Sequence, residues 1–108
     1  MCTMEALMRY LKLVRDKVPK RIQNKGEAVE YTRLSCPKLF KGFLLKKLEE
    51  EVREFAKSGE AHELADLLDV IFEIQKLPEF KREKILELRM KKNRTHGGFR
   101  NKFVLLEA

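Results

Sequence analysis

The sequence is poor in cysteine and has no long hydrophobic run. Its two cysteines, Cys2 and Cys36, show no CxxC spacing and have no histidine-rich segment beside them, so neither a zinc site nor a disulfide framework is predicted. Glu5 and Arg9 interrupt the apolar residues near the start, and this leaves no signal-peptide core. No apolar run approaches the length needed to span a membrane. We therefore expect a cytoplasmic protein with reduced thiols and no membrane association.

Histidine is scarce too, whereas charge is abundant. The only histidines, His62 and His96, have no recognisable partners for a catalytic triad, so no Ser, Cys or His nucleophile is evident.

Internal repeats are absent, and 108 residues suffice for one modest core, so we predict a single domain spanning residues 1–108. A net charge of +7 favours anionic partners, among them nucleotide phosphates, nucleic acid and acidic protein surfaces.

Residues 44–75 predict an antiparallel helical hairpin. The helical pattern breaks at Lys57, Ser58 and Gly59. Gly59 can adopt the left-handed conformation that ends a helix, and Ser58 can help to cap the next helix. Because the connection is so short, the two helices are expected to run antiparallel.

Four carboxylates occupy facing positions of this hairpin. Residues equally far from the turn lie at about the same height, which pairs Glu54 with Glu63 and Glu51 with Asp66. At about 100° per residue, Glu51 borders the apolar face of the first helix, whereas Glu54 lies roughly 60° further from that face. The apolar arc of the second helix covers roughly 220°, so we expect this helix to be covered on most sides and the acidic strip to be partly enclosed.

Enclosed carboxylates repel one another and lose hydration. The usual remedies are shifted pKa values, basic partners or a bound cation. Oxygen ligands from Glu and Asp suit a hard cation such as Mg²⁺ or Mn²⁺. A solvated acidic face accounts for the same pattern, so the pattern by itself leaves both interpretations open.

The other segments complete a mainly α fold. A short basic helix, with Asp16 as its cap and Pro19 in its first turn, is predicted to stop at residues 24–26. A weaker amphipathic helix is predicted at about residues 79–92. The whole is expected to be an antiparallel helical hairpin core with flanking helices and a small β-ribbon. The ribbon would come from short strands at residues 11–14, 29–34 and 102–106.

Three motifs occur in an order that resembles one protein superfamily. Residues 12–19 read KLVRDKVP, residues 50–54 read EEVRE with ELAD following at 63–66, and residues 97–99 read GGF before a final apolar segment. This set resembles the MazG-like superfamily of all-α nucleoside triphosphate pyrophosphohydrolases. It is most similar to the phosphoribosyl-ATP pyrophosphohydrolase-like branch with KLVRDK, EExxE, ExxD and GGF motifs.

The resemblance implies an enzyme that acts on acid anhydrides. The expected reaction is hydrolysis of a nucleoside or deoxynucleoside triphosphate between the α and β phosphates, with Mg²⁺ or Mn²⁺ as cofactor and the clearance of non-standard nucleotides as one role. The match implies metal ligation by Glu51, Glu54, Glu63 and Asp66, and catalytic roles for Glu50, Glu51 and Glu54. Substrate binding is expected of Lys47, Asp69 and Lys92. His96 departs from the family pattern, where relatives often have arginine.

A basic nucleic-acid-binding or regulatory module without catalysis is the alternative function. The basic residues between 91 and 100 favour it, but such a module needs no facing carboxylates. A single-strand binder would also interleave exposed aromatic residues with its basic residues, whereas most Phe and Tyr residues lie at core-like positions. We therefore expect the enzyme and do not expect nucleic acid as a partner. The wide apolar arc of residues 64–74 further predicts a homodimer or higher homo-oligomer.

Overall fold

A computed structural model describes residues 11–108, apart from the Arg82 side chain, and these residues are mainly helical. The four helices are α1 (Val18–Asn24), α2 (Pro37–Ser58), α3 (Ala61–Gln75) and α4 (Arg82–His96). The prediction of a mainly α fold is confirmed. The expectations for Cys2 and for Glu5 and Arg9 lie outside the described residues.

Helix α1 has a proline in its first turn and ends near a glycine. Pro19 lies in its first turn, where a missing N–H costs little, and Gly26 follows the helix with a φ of 84°. The N-cap residue is Lys17, and it makes no side-chain cap hydrogen bond. The prediction that Asp16 caps this helix is therefore wrong, although the helix itself forms where the sequence predicts it.

The break between α2 and α3 lies where the sequence predicts it. Gly59 follows α2 in the left-handed conformation, with φ 67° and ψ 11°, and its N–H donates to the Phe55 carbonyl at 2.8 Å. The N–H of Glu60 donates to the Ser58 hydroxyl at 3.2 Å, so Ser58 helps to order the connection. Only the residues between Ser58 and Ala61 separate the two helices.

The chain divides into two compact units, the first ending at Ile74 and the second comprising Gln75–Ala108. Phe43 and Leu44 of α2 and Val70 of α3 are buried in the first unit. Leu77 is buried in the second. The small number of buried side chains indicates a modest core for the described part of each unit.

One face of α3 is only half covered within the described chain. Leu64, Leu68 and Phe72 recur every four residues and therefore form a stripe along the helix, and each is between 40 and 50% exposed. The expectation that α3 is covered on most sides is thus not met by the residues described. We call these three residues the α3 apolar stripe.

The predicted β-ribbon does not form in the described residues. Residues 11–14, 29–34 and 102–106 all lie outside regular secondary structure. Their β-forming composition is insufficient, because a strand is stable only when its N–H and C=O groups pair with another strand. Helix α4 also differs from its prediction, since it begins at Arg82 and runs to His96.

Cys36 precedes α2 as its N-cap residue and is disulfide-bonded. The expectation of a reduced thiol at this position is therefore wrong, because spacing along the sequence does not decide whether two thiols approach each other in space. Among the described helices, none combines the length and the apolar composition that crossing a membrane requires.

Candidate metal site

Three carboxylates from α2 and α3 converge in the first unit. Ligand oxygens of Glu51, Glu63 and Asp66 all lie within 4.8 Å of one another. Ligands of an octahedral Mg²⁺ ion, at 2.0–2.1 Å from the metal, are about 3 to 4 Å apart, so small side-chain rotations would suffice to fit one ion. The predicted facing of Glu51 and Asp66 is therefore present. We call these three residues the carboxylate cluster.

Glu51 is the buried member of the carboxylate cluster. The residue is only 5% exposed, and its Oε2 atom is buried with no hydrogen-bond partner among the described residues. Its Oε1 atom lies 3.3 Å from the Lys47 ammonium, one helical turn earlier. Because an ionised oxygen without a partner is costly to bury, this atom marks a place where a cation would stabilise the protein.

Glu50, the residue before Glu51, also has a buried carboxylate oxygen. Its Oε2 atom is also buried without a hydrogen-bond partner in the described part of the chain. The ammonium groups of Lys47 and Lys12 lie 3.7 and 4.0 Å from it, which is too far for hydrogen bonds but close enough for attraction between charges. Lys47 thus lies between the buried carboxylate of Glu51 and the half-buried carboxylate of Glu50 and partly balances the charge of both.

Arg15 contacts α3 at two carboxylates one helical turn apart. Its guanidinium donates to Asp66 Oδ1 at 2.9 Å and to Asp69 Oδ2 at 2.8 Å. The hydrogen bond to Asp69 is the largest cause of a raised Arg15 pKa, and the negative charges of both aspartates add to it, whereas burial opposes the rise. Sequence reasoning missed these contacts because they join residues more than 50 positions apart, and helical periodicity reports only local neighbours.

The site carries more negative than positive charge. Its carboxylates are Glu50, Glu51, Glu63, Asp66 and Asp69, and the cations paired with them are Lys12, Arg15 and Lys47. His62 lies 3.7 Å from Glu63 but is an exposed side chain that adds charge only when protonated. Among the ion pairs of the described residues, five carboxylates and three cations leave two negative charges in excess, which is the charge that one divalent cation would balance.

The remaining predicted site residues lie elsewhere. Glu54 is exposed and does not belong to the carboxylate cluster. Asp69 is exposed and is held by Arg15. Lys92 is exposed on α4, within the second unit. His96 pairs with its neighbour Thr95, whose hydroxyl lies 2.7 Å from the ring nitrogen Nδ1. The structure thus brings together three of the four predicted metal ligands.

Comparison of the chain with protein-family models, with curated proteins and with solved structures found no significant match. The resemblance to the MazG-like superfamily therefore depends on the three sequence motifs alone.

Proposed function

We propose that this protein is a metal-dependent nucleoside triphosphate pyrophosphohydrolase. The observation that carries the proposal is the Glu51 carboxylate of the carboxylate cluster, whose buried Oε2 atom has no hydrogen-bond partner among the described residues. A solvated acidic face would leave this oxygen hydrated, so the arrangement favours a bound cation over the alternative interpretation of the pattern. The proposal also requires α2 and α3 to form the antiparallel hairpin that the sequence predicts.

Glu51, Glu63 and Asp66 would hold Mg²⁺ or Mn²⁺. All three offer carboxylate oxygens, the ligands that these hard cations prefer, and the excess of two negative charges suits a divalent ion. When bound, such an ion neutralises phosphate charge and makes a nearby water easier to deprotonate. Glu54 remains a predicted ligand that would have to turn toward the cluster.

The reaction needs only a water molecule and a proton acceptor from the protein. Oxygen from the water forms a bond to the α-phosphorus, and the bond from that phosphorus to the bridging oxygen breaks. The electron pair leaves with pyrophosphate, while the proton of the water passes to a carboxylate. Glu50 suits this acceptor role, because its Oε2 atom has no hydrogen-bond donor among the described residues and lies beside the cluster.

Basic residues would hold the phosphates of the substrate. Lys47 is half-buried between Glu50 and Glu51, and a metal ion that took over part of their charge would release its ammonium for a phosphate oxygen. The roles predicted for Lys92 and Glu54 are parts of the proposal that rest on the motifs alone.

The most informative experiment is a panel of natural and damaged nucleoside triphosphates incubated with Mg²⁺ or Mn²⁺, followed by product analysis. The proposal predicts nucleoside monophosphate and pyrophosphate. In water labelled with ¹⁸O, the label should enter the monophosphate, because the water attacks the α-phosphorus. Release of orthophosphate with a nucleoside diphosphate, or inactivity on the whole panel, would contradict the proposed reaction.

A second candidate function is the binding of single-stranded nucleic acid by the second unit, and two exposed aromatic residues favour it. Phe99 and Phe103 are 98% and 90% exposed, with Arg100 and Lys102 between them. From residue 88 to residue 106 the chain has no Asp or Glu, and its cationic side chains are Arg89, Lys91, Lys92, Arg94, Arg100 and Lys102. Bases stack on such aromatic rings while basic residues neutralise the phosphates.

Fluorescence anisotropy with a labelled single-stranded oligonucleotide tests the second candidate. If it holds, Phe99→Ala and Phe103→Ala should each weaken binding by about tenfold, since stacking of a base contributes about 1 to 3 kcal/mol. Tyr31→Ala is the matched control, because Tyr31 is an exposed aromatic residue of the first unit. No binding at low salt would leave the hydrolase as the sole candidate.

A further inference from the structure

Of the described residues before α1, Arg15 is the one whose side chain reaches the carboxylate cluster. Its guanidinium spans one turn of α3 and bonds to one oxygen of Asp66 and one of Asp69. Asp66 belongs to the carboxylate cluster, whereas Asp69 does not. Arg15 therefore connects the candidate metal site to a carboxylate that lies outside it.

More than half of the Arg15 side chain is exposed to solvent. A guanidinium has five N–H donors in a planar fork, and the two contacts to α3 use one donor on each terminal nitrogen. The Arg15 side chain is 57% exposed, so its other donors can be reached from outside. Planar donor pairs of this kind match two oxygens of a phosphate group.

We propose that Arg15 binds the phosphates of the substrate, and that Asp69 acts as a positioning residue that holds its guanidinium at the edge of the carboxylate cluster. This inference rests on the proposed function. It also changes the role of Asp69 from the substrate contact that the sequence predicts to a residue that acts through Arg15. Without Asp69, the guanidinium would keep only its hydrogen bond to Asp66, and Asp66 would also be a ligand of the metal ion.

If Arg15 binds phosphate, replacing it should affect metal binding and phosphate binding differently, whereas a purely structural residue would affect both alike. Arg15→Gln removes a positive charge next to Asp66, so the affinity for Mn²⁺ alone, measured by calorimetry, should stay the same or increase. The affinity for inorganic pyrophosphate in excess Mg²⁺ should fall by about tenfold or more, since hydrogen bonds to charged groups are lost. Arg15→Lys should recover only part of it, because lysine keeps the charge but not the fork.

A double-mutant cycle tests the role of Asp69. Asp69→Asn should weaken pyrophosphate binding in the wild-type background and have little further effect in the Arg15→Gln background, because both changes remove the same interaction. Equal losses in the two backgrounds would show that Asp69 does not act through Arg15. Arg21→Gln is the matched control, because Arg21 is an exposed arginine of α1 that forms no ion pair with a described carboxylate.

The outcomes for wild type and variant keep this inference distinct from the proposed function. Wild-type protein that binds neither Mn²⁺ nor pyrophosphate would overturn the proposed function, and the role of Arg15 with it. Wild-type protein that binds both, with Arg15→Gln binding pyrophosphate equally well, would overturn the inference alone. If Arg15→Gln weakened Mn²⁺ and pyrophosphate binding to the same extent, Arg15 would be a structural residue and the inference would be wrong.

Discussion

At the scale of single residues, the proposed metal site depends on the buried carboxyl group of Glu51. A carboxylate that is 5% exposed and has one oxygen without a hydrogen-bond partner in the described part of the chain destabilises the protein unless a cation approaches it. The Lys47 ammonium lies 3.3 Å from the Oε1 atom of Glu51 and offsets part of this destabilisation. Glu51 therefore differs from the exposed carboxylates of α2, such as Glu49, because its Oε2 atom is buried from solvent and has no described hydrogen-bond partner.

Replacing Glu51 by its amide should therefore have two opposite effects. Glu51→Gln relieves repulsion within the carboxylate cluster, so the melting temperature of the metal-free protein should stay the same or rise. The increase in melting temperature on adding Mg²⁺ should shrink, because binding to the native state is weaker. Thermal denaturation with and without Mg²⁺ measures both. Glu49→Gln, on the exposed side of the same helix, should change neither, and an unchanged Mg²⁺ effect in Glu51→Gln would contradict the metal site.

The exposed position of Glu54 predicts that replacing it has a smaller effect on Mg²⁺ binding than replacing Glu51. We expect Glu54→Gln to reduce the Mg²⁺-induced rise in melting temperature less than Glu51→Gln does, because Glu54 is exposed and lies outside the carboxylate cluster. The same thermal denaturation series measures the difference. Equal reductions in the two variants would show that Glu54 turns inward and ligates the same ion, as the motif resemblance implies.

At the scale of elements, the connection between α2 and α3 sets the relative position of the carboxylates. Gly59 has a φ of 67°, and nothing lies within 4 Å of the position that a Cβ atom would occupy. A side chain at this position therefore meets no steric clash with neighbours, and its cost comes from the left-handed backbone conformation alone.

This geometry predicts the cost of an alanine at the break. Gly59→Ala should lower the free energy of unfolding by about 1 kcal/mol, since a residue with a Cβ atom disfavours the left-handed region. Urea denaturation measures the change. Gly98→Ala is the control, because Gly98 has no positive φ and its added Cβ would lie 3.7 Å from Asn93 Oδ1, an ordinary contact. A loss no larger than that of the control would show that Gly59 is not needed for the break.

The sequence predicts the helices well, but it fails for the strands at residues 11–14, 29–34 and 102–106 and for long-range contacts. Distance from the turn at Gly59 predicts that Glu51 meets Asp66, because height along a hairpin follows from counting residues. The same count also pairs Glu54 with Glu63, but Glu54 lies further from the apolar face of α2 and is exposed. The Arg15 contacts depend on how a distant segment folds back on α3, and no local pattern encodes that.

At the scale of the whole molecule, the two units differ in the distribution of charge. The second unit has a basic segment without acidic residues between positions 88 and 106, whereas the carboxylate cluster lies in the first unit.

The expectation of a cytoplasmic location was drawn partly from reduced thiols, and the disulfide at Cys36 removes that part of the argument.

The α3 apolar stripe supports the prediction of a homo-oligomer. Half-exposed leucine and phenylalanine side chains along one helix face would gain stability from burial against a second copy of the chain. Light scattering at micromolar concentration should show a dimer or larger species. Leu68→Lys should dissociate it, whereas Leu88→Lys, at a half-exposed position on α4, should not. A wild-type monomer would contradict this prediction.

The central claim is that the carboxylate cluster is a catalytic metal site, and the most direct test compares pyrophosphate release by wild-type protein and Glu51→Gln. Both proteins would be incubated with the same triphosphate panel at matched Mg²⁺ concentrations. The account predicts Mg²⁺-dependent release by the wild type and a loss of about two orders of magnitude or more in Glu51→Gln, with the fold retained. Equal rates in the two proteins, or no release by the wild type at any Mg²⁺ concentration, would contradict it.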